Sequence, residues 1–169
     1  MGREEGQEVI KQVVDDSALW RALCDAELAF HSARQAFLLQ SENRLATIRR
    51  ALDTHQRGTA LRVLPYLTIE ERQQLFDDLV RLASVGHSDI ELVRSAILSL
   101  PREWVLSRIE SRAKGFLARG TEEEYRRFLE LYSELEPSLT RRLATRAIQS
   151  EETGIREAGQ DFLDWLERR

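Results

Sequence analysis

Three kinds of helix punctuation recur along this chain on nearly one beat. An apolar residue followed by arginine appears as Leu61-Arg62, Val93-Arg94, Tyr125-Arg126 and Ile155-Arg156, at spacings of 32, 32 and 30 residues. Gly86, Gly120 and Gly154 lie 34 apart, and the three prolines, Pro65, Pro101 and Pro137, lie 36 apart. A period of this size marks a supersecondary unit that cannot bury its apolar face alone, so that neighbours must stack. This constrains the fold more tightly than composition does.

The chemistry of helix ends suggests what the unit is. Thr68-x-x-Glu71, Ser88-x-x-Glu91 and Thr121-x-x-Glu124 read as capping boxes, in which hydroxyl and carboxylate satisfy orphan amide donors at a helix start. The glycines fall where helices should stop and are expected to take positive φ there. Each proline falls where one helix must end and the next begin, because it has no N–H to continue the first. The unit is therefore a pair of helices.

The stretch from Asp89 to Leu100 resembles a HEAT repeat: an acidic turn, then Val93-Arg94, then Ala96 and Leu100. Glu152 to Leu163 is similar, with Ile155-Arg156 and Ala158. Leu61-Arg62 and Tyr125-Arg126 match more loosely, since Pro65 closely follows the first and Phe128 replaces the small residue of the second. The resemblance covers roughly residues 42–169. It implies an all-α fold, a short right-handed HEAT-like α-solenoid of about four antiparallel helix pairs. Residues 1–41 would form an N-terminal helical cap. It further implies that Asp89 and Arg94 belong to a hydrogen-bonded ladder between neighbouring repeats, a structural role. A tetratricopeptide-like array shares the beat but ranks lower, because the proline lies between the two helices of a unit and the small-residue pattern is missing.

Within the cap, residues 1–8 are polar and expected to fray, and Val9, Ile10, Val13 and Val14 suggest a brief helix. Ser17 can cap the next helix, which runs to about Gln40. Leu19, Leu23, Ala26, Phe30, Ala33 and Phe37 form a heptad-like seam along it. The seam suits packing on the first repeat, or pairing with a second copy or a partner. Ser41 should open the following helix, which His55 to Gly58 breaks. Thr59 to Leu67 is a short helix interrupted by Pro65. Thr68 to Val85, Ile90 to Leu100, residues 102–119, residues 122–135, Pro137 to Ile148 and Ile155 to Glu167 complete the helical reading.

Composition excludes some functions. Apolar residues make up 42% and charged residues 32% of the 169, which is ordinary for a folded chain, and the net charge of −4 disfavours a general nucleic-acid binder. Arginine far outnumbers lysine, an excess that reads as compositional bias. One cysteine, Cys24, suits a reducing compartment, and no apolar run approaches a membrane span. A cytoplasmic protein is expected. Cys24, Glu27 and His31 share a helical face, but no second ligand cluster completes a metal site, so Cys24 reads as a core residue. His55 and His87 fall in turns and read as solvated. No phosphate loop, nucleophile elbow or His-Glu-x-x-His occurs. No catalytic residue, metal or cofactor is expected, and the chain does not read as an enzyme.

Charge and exposure point instead to partners. The acidic start Glu122, Glu123, Glu124 and the aromatic pair Phe162 and Trp165 near the C-terminus are the candidate partner-binding residues. A protein adaptor or scaffold is the leading expectation, with a homodimer through residues 17–40 or the C-terminal helix as one form of it. The alternative is a nucleic-acid or acidic-partner ridge of Arg102, Arg108, Arg112, Arg141, Arg142 and Arg146.

Overall fold

A computed structural model describes residues 15–168, and every element in it is a helix. The expected brief helix at Val9 to Val14 and the frayed start lie outside the described residues. The chain divides into compact units at Ser41/Glu42. The first contains α1, Asp16–Gln40. Its N-cap is Asp15 rather than Ser17: the Asp15 carboxylate accepts from the Ser17 amide at 3.1 Å. A carboxylate at this position also faces the positive end of the helix dipole, which a hydroxyl does not exploit. Ser41 ends α1 as its C-cap, so it does not open the next helix.

The second unit contains α2 (Arg44–Leu52), α3 (Arg57–Val63) and a 3-10 turn at Leu64–Tyr66 that accommodates Pro65. There follow α4 (Ile69–Gln74), α5 (Phe76–Ala83), α6 (Ile90–Leu98), α7 (Arg102–Leu106) and α8 (Ile109–Leu117). The chain continues through α9 (Glu122–Leu135), α10 (Pro137–Ala147) and α11 (Thr153–Glu167). Consecutive helices pack as α2 on α3, α5 on α6, α8 on α9, α9 on α10 and α10 on α11. Helices further apart in the chain also meet: α3 packs on α6, α6 on α9, α9 on α11, and α5 on α8. Leu75, Leu79 and Val80, Val93 and Ile97, Ile109, Phe128, Leu129, Leu131 and Tyr132, and Leu139 fill the space between them and are buried. Phe76 meets Trp104 edge-on, with ring centroids 5.0 Å apart.

Thr68 and Thr121 form full capping boxes with Glu71 and Glu124. Ser88 does not. The helix begins one residue later, with Asp89 at the cap position, and Glu91 turns to Arg94 instead. His87 does the local work: its Nδ1 accepts from the Asp89 amide at 3.1 Å, and its Nε2 lies 3.1 Å from the Leu82 carbonyl. The expected solvated histidine is therefore tied into the turn.

Two expected helices are each bent into two. The one opening at Thr68 breaks at Leu75, and the Arg49 guanidinium donates to the Gln74 carbonyl at 2.8 Å. The one after Pro101 breaks at Ser107 and Arg108, where the Ser107 hydroxyl bonds the Trp104 carbonyl at 2.8 Å. Neither break contains proline or glycine. Both follow the rule that a side chain entering the backbone ladder kinks a helix.

The glycines correct a second expectation, since none of the described ones has positive φ. Gly58 and Gly154 lie inside helices, and what they provide is room. A Cβ at Gly58 would lie 3.2 Å from an Asp89 carboxylate oxygen, one at Gly86 3.0 Å from Glu123, and one at Gly154 would run into Glu122. Gly159, which no repeat marker singled out, is the tightest against fixed structure: its Cβ would stand 2.8 Å from the Ala144 carbonyl and from Ala147 Cβ. It sets the closest approach of α11 to α10. Gly159→Ala should therefore destabilise by about 1–3 kcal/mol, overriding alanine's helix-propensity gain. Urea unfolding monitored by circular dichroism checks this, and Gly115→Ala, with nothing near its Cβ, should stabilise instead.

Candidate interaction surfaces

Charged residues of the second unit are largely engaged with one another across helices. Arg44 pairs with Glu71 across 27 residues, Arg49 with Asp78 across 29 and Arg81 with Asp53 across 28. Arg142 makes a bidentate pair with Glu110, at 3.1 and 2.9 Å, across 32 residues. On the other helices Arg94 bonds Glu130 across 36 residues and Arg126 bonds Asp161 across 35.

Arg94 is the most enclosed of these, with only 8% of its surface exposed. Its partners are Glu91 at 2.9 Å and Glu130, and Glu130 also accepts from Arg127 at 2.9 Å. Asp89 stands at the entry of α6 with its carboxylate beside Gly58 of α3, while Arg94, one turn deeper, reaches across to Glu130 of α9.

The acidic start of α9 is spent inside the fold. Glu122 accepts from Arg126 Nε at 2.6 Å, Glu123 from the Gly86 amide at 2.8 Å, and Glu124 from the Thr121 amide at 2.8 Å. The Thr121 hydroxyl donates to Glu124 at 2.5 Å and holds its carboxyl below the usual value of 4.5. Bonds from Arg126 to Glu122 and Asp161 raise the Arg126 pKa. Phe162 and Trp165 on α11 are half-buried, with ring centroids 6.3 Å apart.

The arginine ridge is similarly committed. Arg102 bonds Glu136 and the Leu135 carbonyl, Arg112 pairs with Asp77 at 3.0 Å, and Arg142 pairs with Glu110. Arg108 lies over the Trp104 ring at 4.5 Å, and Arg146 donates to the Leu117 carbonyl at 3.4 Å. Arg141 is exposed on α10 beside Pro137 and Ser138. Three of the six, Arg102, Arg112 and Arg142, are thus held in ion pairs.

On α1 the seam residues Leu19, Leu23 and Phe30 are exposed, as are Trp20, Leu28 and Leu39. Cys24 is exposed rather than in a core. His31 Nδ1 accepts from Arg34 at 3.0 Å. No group of three or more potential metal ligands gathers among the described residues, and no helix among them is long and apolar enough to cross a membrane.

Sequence reasoning missed a cleft of about 380 Å³ between α8 and α10, with α9 behind it. Lys114, Arg142 and Arg146 line it with Glu110, and Tyr132 and Leu117 contribute from beneath. The Glu110–Arg142 pair, set 32 residues apart, was the available signal.

The sequence matches no protein-family model, and neither curated proteins nor solved structures yield a match.

Two outcomes follow from the ion network. Glu130→Ala, which leaves the buried Arg94 only the exposed Glu91 as partner, should cost about 2–3 kcal/mol, below the range for fully buried pairs because Glu91 remains and Glu130 keeps a third of its surface in water. Arg94→Met with Glu130→Leu should recover most of that loss, and a double-mutant cycle by urea unfolding measures it. Because the folded-state pKa of Glu124 is lowered, its contribution is present above pH 4.5 and lost as pH falls through the depressed value. The melting-temperature gap between the native protein and Thr121→Ala should therefore narrow below pH 4.5.

Proposed function

We propose that residues 42–169 form a HEAT-like α-solenoid of antiparallel helix pairs, and that the chain is a non-catalytic protein-binding adaptor of the cytoplasm. The observation that carries this reading is the alternation of contacts. Helices α3, α6, α9 and α11 follow one another as one file, and α5 meets α8 in a second. Ion pairs 27–29 residues apart join α2 to the α4–α5 segment, and one 32 residues apart joins α8 to α10. Contact chiefly between neighbouring units is what a one-dimensional array of repeats produces, and such arrays present extended surfaces to other proteins. The exposed thiol of Cys24 accords with a reducing compartment.

Phe162 and Trp165 are the proposed anchors. Binding energy at protein interfaces concentrates in a few residues, among which tryptophan is enriched. Glu122 to Glu124 contribute indirectly, by fixing α9 against its neighbours. An arginine ridge for nucleic acid is the weaker reading, since Arg102, Arg112 and Arg142 are already paired.

Affinity capture from native lysate, with and without nuclease, tests the proposal. The expected result is a specific protein retained after nuclease and reduced more than tenfold on Phe162→Ala/Trp165→Ala, a pair of truncations in the hot-spot range. Loss of all retained protein on nuclease treatment, or equal capture by the double variant, would sink it.

A further inference from the structure

Tyr132 is 2% exposed, and its hydroxyl is the one buried hydroxyl among the described residues with no hydrogen-bond partner. A buried hydroxyl without a partner is costly, and in a native structure it calls for an explanation. The phenol forms part of the lining of the cleft between α8 and α10, where Lys114, Arg142 and Arg146 also converge. Burial pushes its pKa upward, so at neutral pH the phenol carries its proton and is available as a donor.

The charges of the cleft do not cancel. Glu110 is the lone carboxylate of the lining, and both of its oxygens are taken by the Arg142 guanidinium, at 3.1 and 2.9 Å. Lys114 and Arg146 remain as excess positive charge, and Arg146 makes only a long 3.4 Å bond to the Leu117 carbonyl. Leu117 and Leu143 supply an apolar wall. Two uncompensated cations and one neutral donor at the base match an oxyanion carrying two negative charges. At about 380 Å³ the cleft is larger than a bare tetrahedral ion requires, leaving room for an organic body against the leucines.

We infer that the α8–α10 cleft is a binding site for a small organic phosphate monoester, with its phosphate held by Lys114, Arg146 and the Tyr132 hydroxyl. Arg142, locked to Glu110, shapes one side of the site. The pairing of charged donors with phosphate oxygens is strong and directional. The site does not depend on the adaptor reading, and either can fail without the other.

The test is isothermal titration calorimetry of the full chain with phenyl phosphate at low salt. Benzenesulfonate serves as the singly charged analogue and inorganic phosphate as the body-less one. Phenyl phosphate should bind most tightly of the three. Tyr132→Phe, which removes only the hydroxyl, should weaken it about tenfold, the effect of one hydrogen bond to a charged group. The same substitution should raise the melting temperature of the free protein by about 3 °C, because the unpaired hydroxyl is gone; reduced affinity in Tyr132→Phe would then not be a folding defect. Lys114→Met and Arg146→Met should each weaken binding several-fold, while Arg141→Gln, which removes a nearby charge from outside the cleft, should leave it unchanged. Three results would each overturn the assignment: no heat of binding at millimolar phenyl phosphate, native affinity in Tyr132→Phe, or a loss in Arg141→Gln equal to that in Lys114→Met.

Discussion

The reach and fork geometry of the arginine guanidinium hold the second unit in register. Arg49 bonds the Asp78 carboxylate and the Gln74 carbonyl together, Arg102 bonds Glu136 and the Leu135 carbonyl, and Arg94 joins Glu91 to Glu130. Each uses two acceptors, at least one of them beyond its own helix. A lysine ammonium is a strongly hydrated point charge and does not reproduce a planar, multi-donor bridge. The excess of arginine over lysine, read from sequence as compositional bias, thus has a structural use. Exposed pairs of this sort contribute little each, so the apolar core between helices supplies most of the stability and the bridges choose the register.

The same bridges explain why the helix boundaries differ from those in the sequence. A capping box is local, and Thr68 with Glu71 and Thr121 with Glu124 were legible as four-residue patterns. The bend at Leu75 was not, because Arg49, which satisfies the Gln74 carbonyl, lies on a different helix. Glycine shows the same limit. From sequence it signals a helix stop with positive φ, whereas here Gly58, Gly86 and Gly154 leave space for carboxylates from neighbouring helices, and Gly159 lets α11 close on α10. Close approach is a tertiary property, and local patterning does not encode it.

The candidate surfaces divide along similar lines. Glu122 to Glu124 and the six arginines were found as runs of charge, and runs are visible in sequence. Whether a charge is free is decided by what stands opposite it: Gly86 opposite Glu123, Asp77 opposite Arg112, Glu110 opposite Arg142. The repeat beat did encode one useful relation, since Glu110 and Arg142 stand 32 residues apart, as do Lys114 and Arg146. Nothing in the sequence distinguishes Tyr132 from other aromatic core positions of α9. Its hydroxyl stands out only once α8 and α10 are in place around it.

The cleft also has an energetic relation to the proposed solenoid. In such an array stability would be a sum over neighbours, so that each interface could be strengthened separately. The Glu110–Arg142 pair spans the α8–α10 interface and is solvent-exposed on both sides, so by itself it contributes little. A dianion held by Lys114 of α8 and Arg146 of α10 bridges that same interface, and adds stability that grows with ligand concentration over its dissociation constant. Helices α10 and α11 pack closely through Gly159. Occupancy of the cleft would therefore stiffen the attachment of the helix pair that carries Phe162 and Trp165. The organic phosphate and the proposed protein contact then share one mechanical element, without sharing a single side chain.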